Sequence, residues 1–549
     1  MPFLAKEIVP IPNKDILSWI YDEQSQRYDS DKPIYLDALN PSRSISANQA
    51  YRIIRKLAAG FHAAGVQPGD CVCVHSFNDI YYPMLFQGIL AAGAIFAGTN
   101  PSYTQFELGH HFKTSKTKFV ISEPEILSSV LLAAKDCDIP QSNIWIFDTQ
   151  DQRIPPGFRS WRTLMEHGER DWPRFDDEKV SKSTTAARLY SSGTTGLPKA
   201  SALSHYNFIA QHTLVFEVYK APYEVKRILY LPMFHAATVP VSHVTALRAG
   251  NTTYVLRRFE MIHLLSSVQK YRIPELILVP PVAVAILKFP QLKDYSLNSI
   301  KIVQAGAGKL DKDHQNAIQA LLSPDASFTQ VWGMTETSCV ASRFNYTERD
   351  DTGSVGRMMP NLDVKIIDDD GRDITGYDVR GELCIRGPTI ISCYFDNPTA
   401  TKDSFDDEGY FKTGDIMYCD SKTKKWYIID RKKELIKVRG FQVTPTEIEA
   451  VLLSHPQILD AAVIGVKKPD EPDVEQPRAY VVRKPESKET DLNEQIIKEF
   501  CGGKLARYKE LTGGVRFIDA VPRNAAGKPL KRILREMAKA EPGQQTQKL

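Results

Sequence analysis

Short apolar runs of strand length alternate with helix-length segments along most of this chain, and this alternation restricts the fold more than any other feature. Residues 47–64 (ANQAYRIIRKLAAGFHAA) carry apolar side chains at helical spacing. Pro68-Gly69-Asp70 then supplies a turn, and 71–75 (CVCVH) a strand. Residues 104–115 again read as helix and 118–121 (KFVI) as a buried strand, and runs at 228–231, 276–279 and 300–303 sit between further helical stretches. Such alternation implies an α/β protein with largely parallel sheets, because parallel strands need crossover helices that cover both faces. The most apolar stretch, 83–98 (PMLFQGILAAGAIFAG), is interrupted by Gln and Gly. It is also shorter than the roughly 20 residues of a membrane-spanning helix. It reads as a buried helix.

The texture changes after about residue 355. From 363 to 385 short alternating strands are joined by turn clusters (IIDDDGRDITG), a β-rich pattern. Past residue 430 a basic stretch leads into helix, strand and helix patterns up to 540, followed by a polar tail, EPGQQTQKL. The expected division is a large N-terminal domain, 1–430, and a small α+β C-terminal domain, 431–549. A chain of 549 residues is long enough for both.

Charge and cysteine content exclude several classes of function. Lys and Arg number 69 against 66 Asp and Glu, a net charge of +3, too balanced for a nucleic-acid or polybasic membrane partner. The eight cysteines contain no CxxC pair, which favours free thiols over zinc ligation or a disulfide framework. The first residues, MPFLAKEIVPIPNKD, lack the charged front and apolar core of a secretion signal. The expectation is a soluble protein without a membrane span, acting on small molecules. Neither a monomer nor a homodimer is specified.

The sharpest local signal is 190–200, YSSGTTGLPKA, with hydroxyls, glycines and a lysine close together after a strand-like run. Glycines let backbone N–H groups approach phosphate oxygens, hydroxyls donate more hydrogen bonds, and Lys199 adds positive charge. A flexible surface turn has the same composition. The segment is not a Walker A loop, since Gly193 and Gly196 are too close and Lys199 follows a proline. Gly306-Ala307-Gly308-Lys309 fits neither Walker A nor G-x-G-x-x-G.

Four more segments accompany it: QVWGMTET at 330–337, YFKTGD at 410–415, DRKKELIKVRGFQVTPTEIE at 430–449 and PRNAAGKPLKR at 522–532. In this order and at these distances the five resemble the motif set of the adenylate-forming superfamily, in its 4-coumarate:CoA ligase-like acyl-CoA synthetase branch. The resemblance spans about residues 30 to 540. It implies two α/β subdomains plus a distorted β-barrel in the N-terminal domain, with a mobile C-terminal domain hinged near Lys433. It implies ATP, Mg²⁺ and coenzyme A as cofactor or co-substrates, and a small-molecule carboxylic acid.

Carried over position by position, the resemblance gives Ser191, Ser192, Gly193, Thr194, Thr195, Gly196 and Lys199 to the β- and γ-phosphates. Trp332, with Gly333, would meet the adenine, Thr335 the α-phosphate, and Asp415 and Arg431 the ribose. Glu336 would bind Mg²⁺, a hard cation suited to carboxylate oxygen. Lys528 would stabilise charge developing at the α-phosphate and the departing pyrophosphate; outside the family frame it reads as a solvated lysine. In the thiol-transfer step Lys433, Lys437 and Gln442 would reach the adenylate, and Arg439 and Gly440 would line the pantetheine path.

The acid site corresponds to PMFHAATVPV at 232–241. His235 matches the histidine that closes the site, although a histidine there also reads as a core residue. Hydroxycinnamate ligases usually have Tyr where this chain has Ala237, and many have Ser where it has Val241. With Ala305, Gly306, Ala307, Gly333 and Met334, these positions imply a roomy, apolar pocket for an aryl or medium- to long-chain acid. The alternatives are an enzyme loading a carrier-protein phosphopantetheine, a luciferase-like oxygenase and a nucleotide sensor without catalysis. The acid-site motif has no Asp of the kind that pairs an amino group, no carrier domain follows residue 540, and Lys528, Glu336 and Asp415 are retained. Gln547-Lys548-Leu549 resembles the S-K-L peroxisomal address except at its first residue; as a plain polar tail it would leave the protein cytoplasmic.

Overall fold

The computed structural model describes residues 3–541 apart from 23, 192–196, 309, 311, 369, 432–435, 439–440, 444, 469–470, 486, 488–491, 523–528 and 530. The chain forms two compact units. Met1–Pro101, His111–Ser191 and Ala200–Asp430 make the first, and Ser102–His110, Ser192–Lys199 and Arg431–Leu549 the second.

The first unit is built on two seven-stranded sheets. At the centre of one, Cys71–His75 pairs in parallel with Ile95–Thr99 on one side and Thr117–Ser122 on the other. The chain thus winds first one way and then back, a doubly wound arrangement. All residues of Cys71–His75 and Ile95–Thr99 are buried, as helices on both faces require. The other sheet runs in the order Ser327–Gln330, Ile302–Ala305, Glu275–Leu278, Lys226–Leu229, Thr252–Val255, Pro33–Asp37, Ser44–Ser46. Its neighbours are parallel except for the last pair. The β-rich stretch forms a four-stranded sheet of Asp363–Ile367, Gly381–Arg386, Phe411–Cys419 and Trp426–Arg431.

Local sequence explains the element boundaries. Ser46 starts the helix Ala47–Ala63 with a reciprocal cap: its hydroxyl accepts from Gln49 N–H at 3.2 Å, and Gln49 Oε1 accepts from Ser46 N–H at 2.8 Å. Ala50, Ile54, Leu57 and Phe61 fall on its buried face. Leu57 lies so close to the next helix that a Cβ at Gly88 would come within 2.6 Å of it.

The stretch 83–98 is not one helix. Tyr82–Ala91 is helical, Gly93 turns the chain with φ 74°, and Ile95–Thr99 is a strand. Because both elements are enclosed, uniform apolarity hides the change of period between them. The strand expected at 300–303 sits slightly later, at Ile302–Ala305. Otherwise the α/β class read from the alternation is the observed one, and no described helix is long and apolar enough to cross a membrane.

In the second unit the long antiparallel pair Ile458–Lys468 and Glu471–Arg483 is extended by Val515–Phe517. Helices Pro445–Leu453, Glu494–Gly502 and Lys531–Ala540 accompany it. Ser102–His110 is held in this unit through Lys509, whose buried Nζ lies 2.5 Å from Glu107 and 2.8 Å from Glu447.

Candidate active site

Trp332–Met334 and Cys339–Arg343 form a tight antiparallel pair around the turn Thr335–Thr337. Only glycine fits at 333, because a Cβ there would stand 1.6 Å from the Cys339 carbonyl oxygen. Ser338 and Cys339 both have positive φ, 59° and 118°, a conformation that costs on the order of 1 kcal/mol or more per residue. Two hydrogen bonds hold it: Ser338 Oγ donates to Thr389 O at 2.6 Å, and Thr337 Oγ1 to Cys339 O at 2.8 Å. Thr335 and Glu336 therefore sit on a rigid, pre-set turn.

Glu336 is 5 % exposed, and among the described residues no lysine or arginine pairs with it. Its Oε1 accepts a hydrogen bond from the Tyr394 phenol at 2.6 Å. Burial, and then the adjacent Glu336 charge, push the phenol far above its ordinary pKa, so it stays a donor. The Tyr394 segment is stitched to the strand Lys199–Ser204 by Phe395 N→Ala200 O, 2.7 Å, and Ala202 N→Cys393 O, 3.1 Å. A buried carboxylate with no cationic partner among the described residues, bonded to a phenol that also meets Ser191, fits a hard divalent cation.

Trp332 is buried, and its indole N–H donates to Asp415 Oδ2 at 2.8 Å. The strand Phe411–Cys419 brings Asp415 there, and the Asp415 N–H donates to Thr413 Oγ1 at 3.1 Å. The two residues assigned to adenine and ribose are thus directly bonded.

On the acid side Asn78 clamps the approach to His235. Its amide donates to Leu231 O and Leu256 O, and its Oδ1 accepts from Met233 N–H at 2.9 Å. His235 Nδ1 accepts from Ala237 N–H at 3.1 Å, which leaves the ring proton on Nε2. The ring has solvent-accessible surface, yet crowding by protein desolvates it and lowers its pKa. The Cys339 thiol donates to Ala237 O at 3.6 Å and so joins the acid-site segment to the Trp332–Arg343 pair. Ala305 ends its strand buried, Gly306 N–H donates to Leu278 O at 3.1 Å, and Ala307 has φ 63°. Met334 packs partly buried against the core.

In the second unit Lys199 begins the strand Lys199–Ser204, and Lys437 is exposed on Ile436–Val438, its N–H donating to Glu475 at 2.8 Å. Arg431 ends the strand Trp426–Arg431 and Gln442 lies in Phe441–Val443. Ser192, Gly193, Thr194, Thr195, Gly196, Lys433, Arg439, Gly440, Lys528 and the Gln547–Leu549 tail lie outside the described residues. Sequence reasoning missed Tyr394 and Cys339. Neither carries a spacing signal, because their partners are 58 and 102 positions away.

Residues 21–395 match the AMP-binding enzyme family and residues 447–528 the AMP-binding enzyme C-terminal domain. The chain belongs to the AMP-binding enzyme family. A relative in this family, phenylacetyl-CoA ligase epaB of Aspergillus niger, is 53% identical over 540 residues, 98% of this chain and 99% of that protein. The structure of ATP-bound MatB from Rhodopseudomonas palustris aligns with a TM-score of 0.67 at 25% identity, over 96% of this chain and 99% of that one. A double mutant of o-succinylbenzoate CoA synthetase from Bacillus subtilis, bound with a product analogue, has a TM-score of 0.78 over 96% and 98%. At 21% identity that likeness bears on the fold alone.

Proposed function

We infer that this AMP-binding enzyme is an ATP-dependent, AMP-forming acid–thiol ligase that activates an apolar carboxylic acid, aryl-bearing before alkyl, and passes it to coenzyme A. The observation that carries adenylation is the buried Glu336 carboxylate, without a cationic partner among the described residues, on its rigid turn, a few residues from Trp332 and its bond to Asp415. Mg²⁺ held by Glu336 would neutralise triphosphate charge. Ser191 and the loop through Lys199 bind the phosphates, Trp332 and Asp415 with Arg431 hold the nucleoside, and Thr335 faces the α-phosphate. The carboxylate attacks that phosphate, and Lys528 stabilises the charge that leaves with pyrophosphate. His235, whose Nδ1 is occupied by the Ala237 N–H, donates from Nε2 beside the reacting carboxyl.

In the second half-reaction the C-terminal domain, 431–549, turns about Lys433, and Lys437, Gln442, Arg439 and Gly440 serve thiol delivery. The thiol displaces AMP. The preference for an aryl acid rests on the wall, where Ala237, Val241 and Ala305–Ala307 offer methyl groups and bare backbone, and on the phenylacetyl-CoA ligase relative.

Acid-dependent pyrophosphate release across phenylacetate, cinnamate and fatty acids, with and without coenzyme A, tests this reading. Release with phenylacetate and consumption of coenzyme A are expected; release without consumption would point to a carrier-protein acceptor. We also propose peroxisomal residence through Gln547-Lys548-Leu549, tested by fusing residues 540–549 to a fluorescent protein; a diffuse signal would overturn it.

A further inference from the structure

Beneath the acid-site segment the second sheet carries an ion pair that neither adenylation nor thiol transfer uses. Arg227 and Glu275 are directly paired across neighbouring parallel strands, and Arg227 Nη2 lies 2.6 Å from Glu275 Oε2. Both residues are 5 % exposed. Tyr346 donates to the other carboxylate oxygen at 3.0 Å, but Arg227 Nη1 is buried with no hydrogen-bond partner among the described residues. Buried guanidinium N–H groups are rarely left unmatched, since each such group costs free energy. Beside the pair is a cavity of about 10 Å³, lined by Arg227 and Glu275, by Leu229 and Ile277 above them, and by Val241 and Ser242 in the helical segment Pro240–Thr245, where the acid-site motif ends. That volume is about one water molecule, or one hydroxyl substituent.

Strand register gives the depth. Glu275 pairs with Ile302 and Ile277 with Gln304, and side chains on one face recur every second residue. From Gly306 to the Arg227–Glu275 row is four residues, about 13 Å at roughly 3.3 Å per residue. An arylacetic acid spans roughly 6.5 Å from its carboxyl carbon to a para oxygen, from ordinary bond lengths and angles. The length of an arginine side chain, roughly 6–7 Å from Cα to guanidinium, is about equal to the rest.

We propose that this cavity is the deep end of the acid pocket and that Arg227 with Glu275 receives a hydrogen-bonding group, a hydroxyl above all, at the far end of the substrate. The hydroxyl oxygen accepts a hydrogen bond from Arg227 Nη1, and its O–H donates one to the Glu275 carboxylate. The proposal rests on the acid-site reading of Val241 and adds to it a polar terminus beyond an apolar wall.

The test compares kcat/KM for phenylacetate, 4-methylphenylacetate and 4-hydroxyphenylacetate in the full-length enzyme. The hydroxyl compound is expected to exceed the methyl compound, its near-isostere, by roughly 10- to 100-fold. In a double variant, R227V/E275V, that ratio falls to about one; a ratio of two rates on one preparation is insensitive to how much of it is folded. Replacing both members together avoids an unpaired buried charge. Equal rates for hydroxyl and methyl compounds in the wild type, or a ratio unchanged in the double variant, would mean a structural water only and would overturn the proposal. Should the double variant not fold, the wild-type ratio decides alone. Absence of activity with all three acids is a separate outcome: it defeats the aryl-acid reading and this proposal with it.

Discussion

Glu336 and Glu275 are equally buried carboxylates in the same unit, yet their surroundings differ in kind. Glu275 has a guanidinium at 2.6 Å and a phenol at 3.0 Å, so its charge is balanced within the protein. Glu336 has a phenol at 2.6 Å and, among the described residues, no cationic partner. A buried ion without a counter-ion is expensive, and the fold keeps Glu336 in place with a rigid turn. The contrast separates two uses of a buried acid. Where the protein supplies the counter-charge, removing one partner threatens the fold; where it does not, a ligand is expected to supply it.

The largest predicted effect sharpens the first half of this contrast. Glu275→Gln leaves Arg227 buried without its ion partner and should destabilise the first unit by about 3–5 kcal/mol, read from denaturant unfolding. A change below 1 kcal/mol would mean that the pair is already solvated. Next, Glu336→Gln should reduce acid-dependent ATP–pyrophosphate exchange by roughly 10²- to 10³-fold while stability holds or rises, because an uncompensated charge has gone. Loss of stability comparable to that of Glu275→Gln would erase the distinction. Third, Tyr394→Phe removes a hydrogen bond to a charged group, worth about 1.5–3 kcal/mol. It should weaken Mn²⁺ binding to the enzyme–ATP complex roughly 10-fold or more, measured by electron paramagnetic resonance independently of turnover. Unchanged metal affinity would reduce Tyr394 to packing.

How much of this was legible in sequence follows from where the information resides. The helix Ala47–Ala63 was legible because one face is buried and the other wet, so its period is written in polarity. The helix Tyr82–Ala91 and strand Ile95–Thr99 were merged because neither has a wet face. Glu336 was found through its motif, but the tyrosine that orients it was not, because the contact is made by tertiary folding. Arg227 and Glu275 stand out in hindsight as charged residues in the apolar runs KRIL and ELIL. Their pairing was hidden because Thr252–Val255, which lies between them in sequence, joins the sheet on the far side of Lys226–Leu229.

The smallest predicted effect concerns the bond between Trp332 and Asp415. Trp332→Phe keeps an aromatic face and deletes only the indole donor, so it separates stacking from positioning. Asp415 has other interactions, and loss of one donor should cost about 1 kcal/mol, roughly fivefold in KM for ATP. If Asp415 meets the ribose, the loss must depend on the ribose hydroxyls. The variant should then discriminate less than wild type between ATP and 2′-deoxy-ATP, with little change in KM for the acid. Equal weakening for both nucleotides would assign Trp332 to the adenine alone. The indole N–H would then be a means of satisfying one buried carboxylate, closer in kind to Arg227 at Glu275 than to Tyr394 at Glu336.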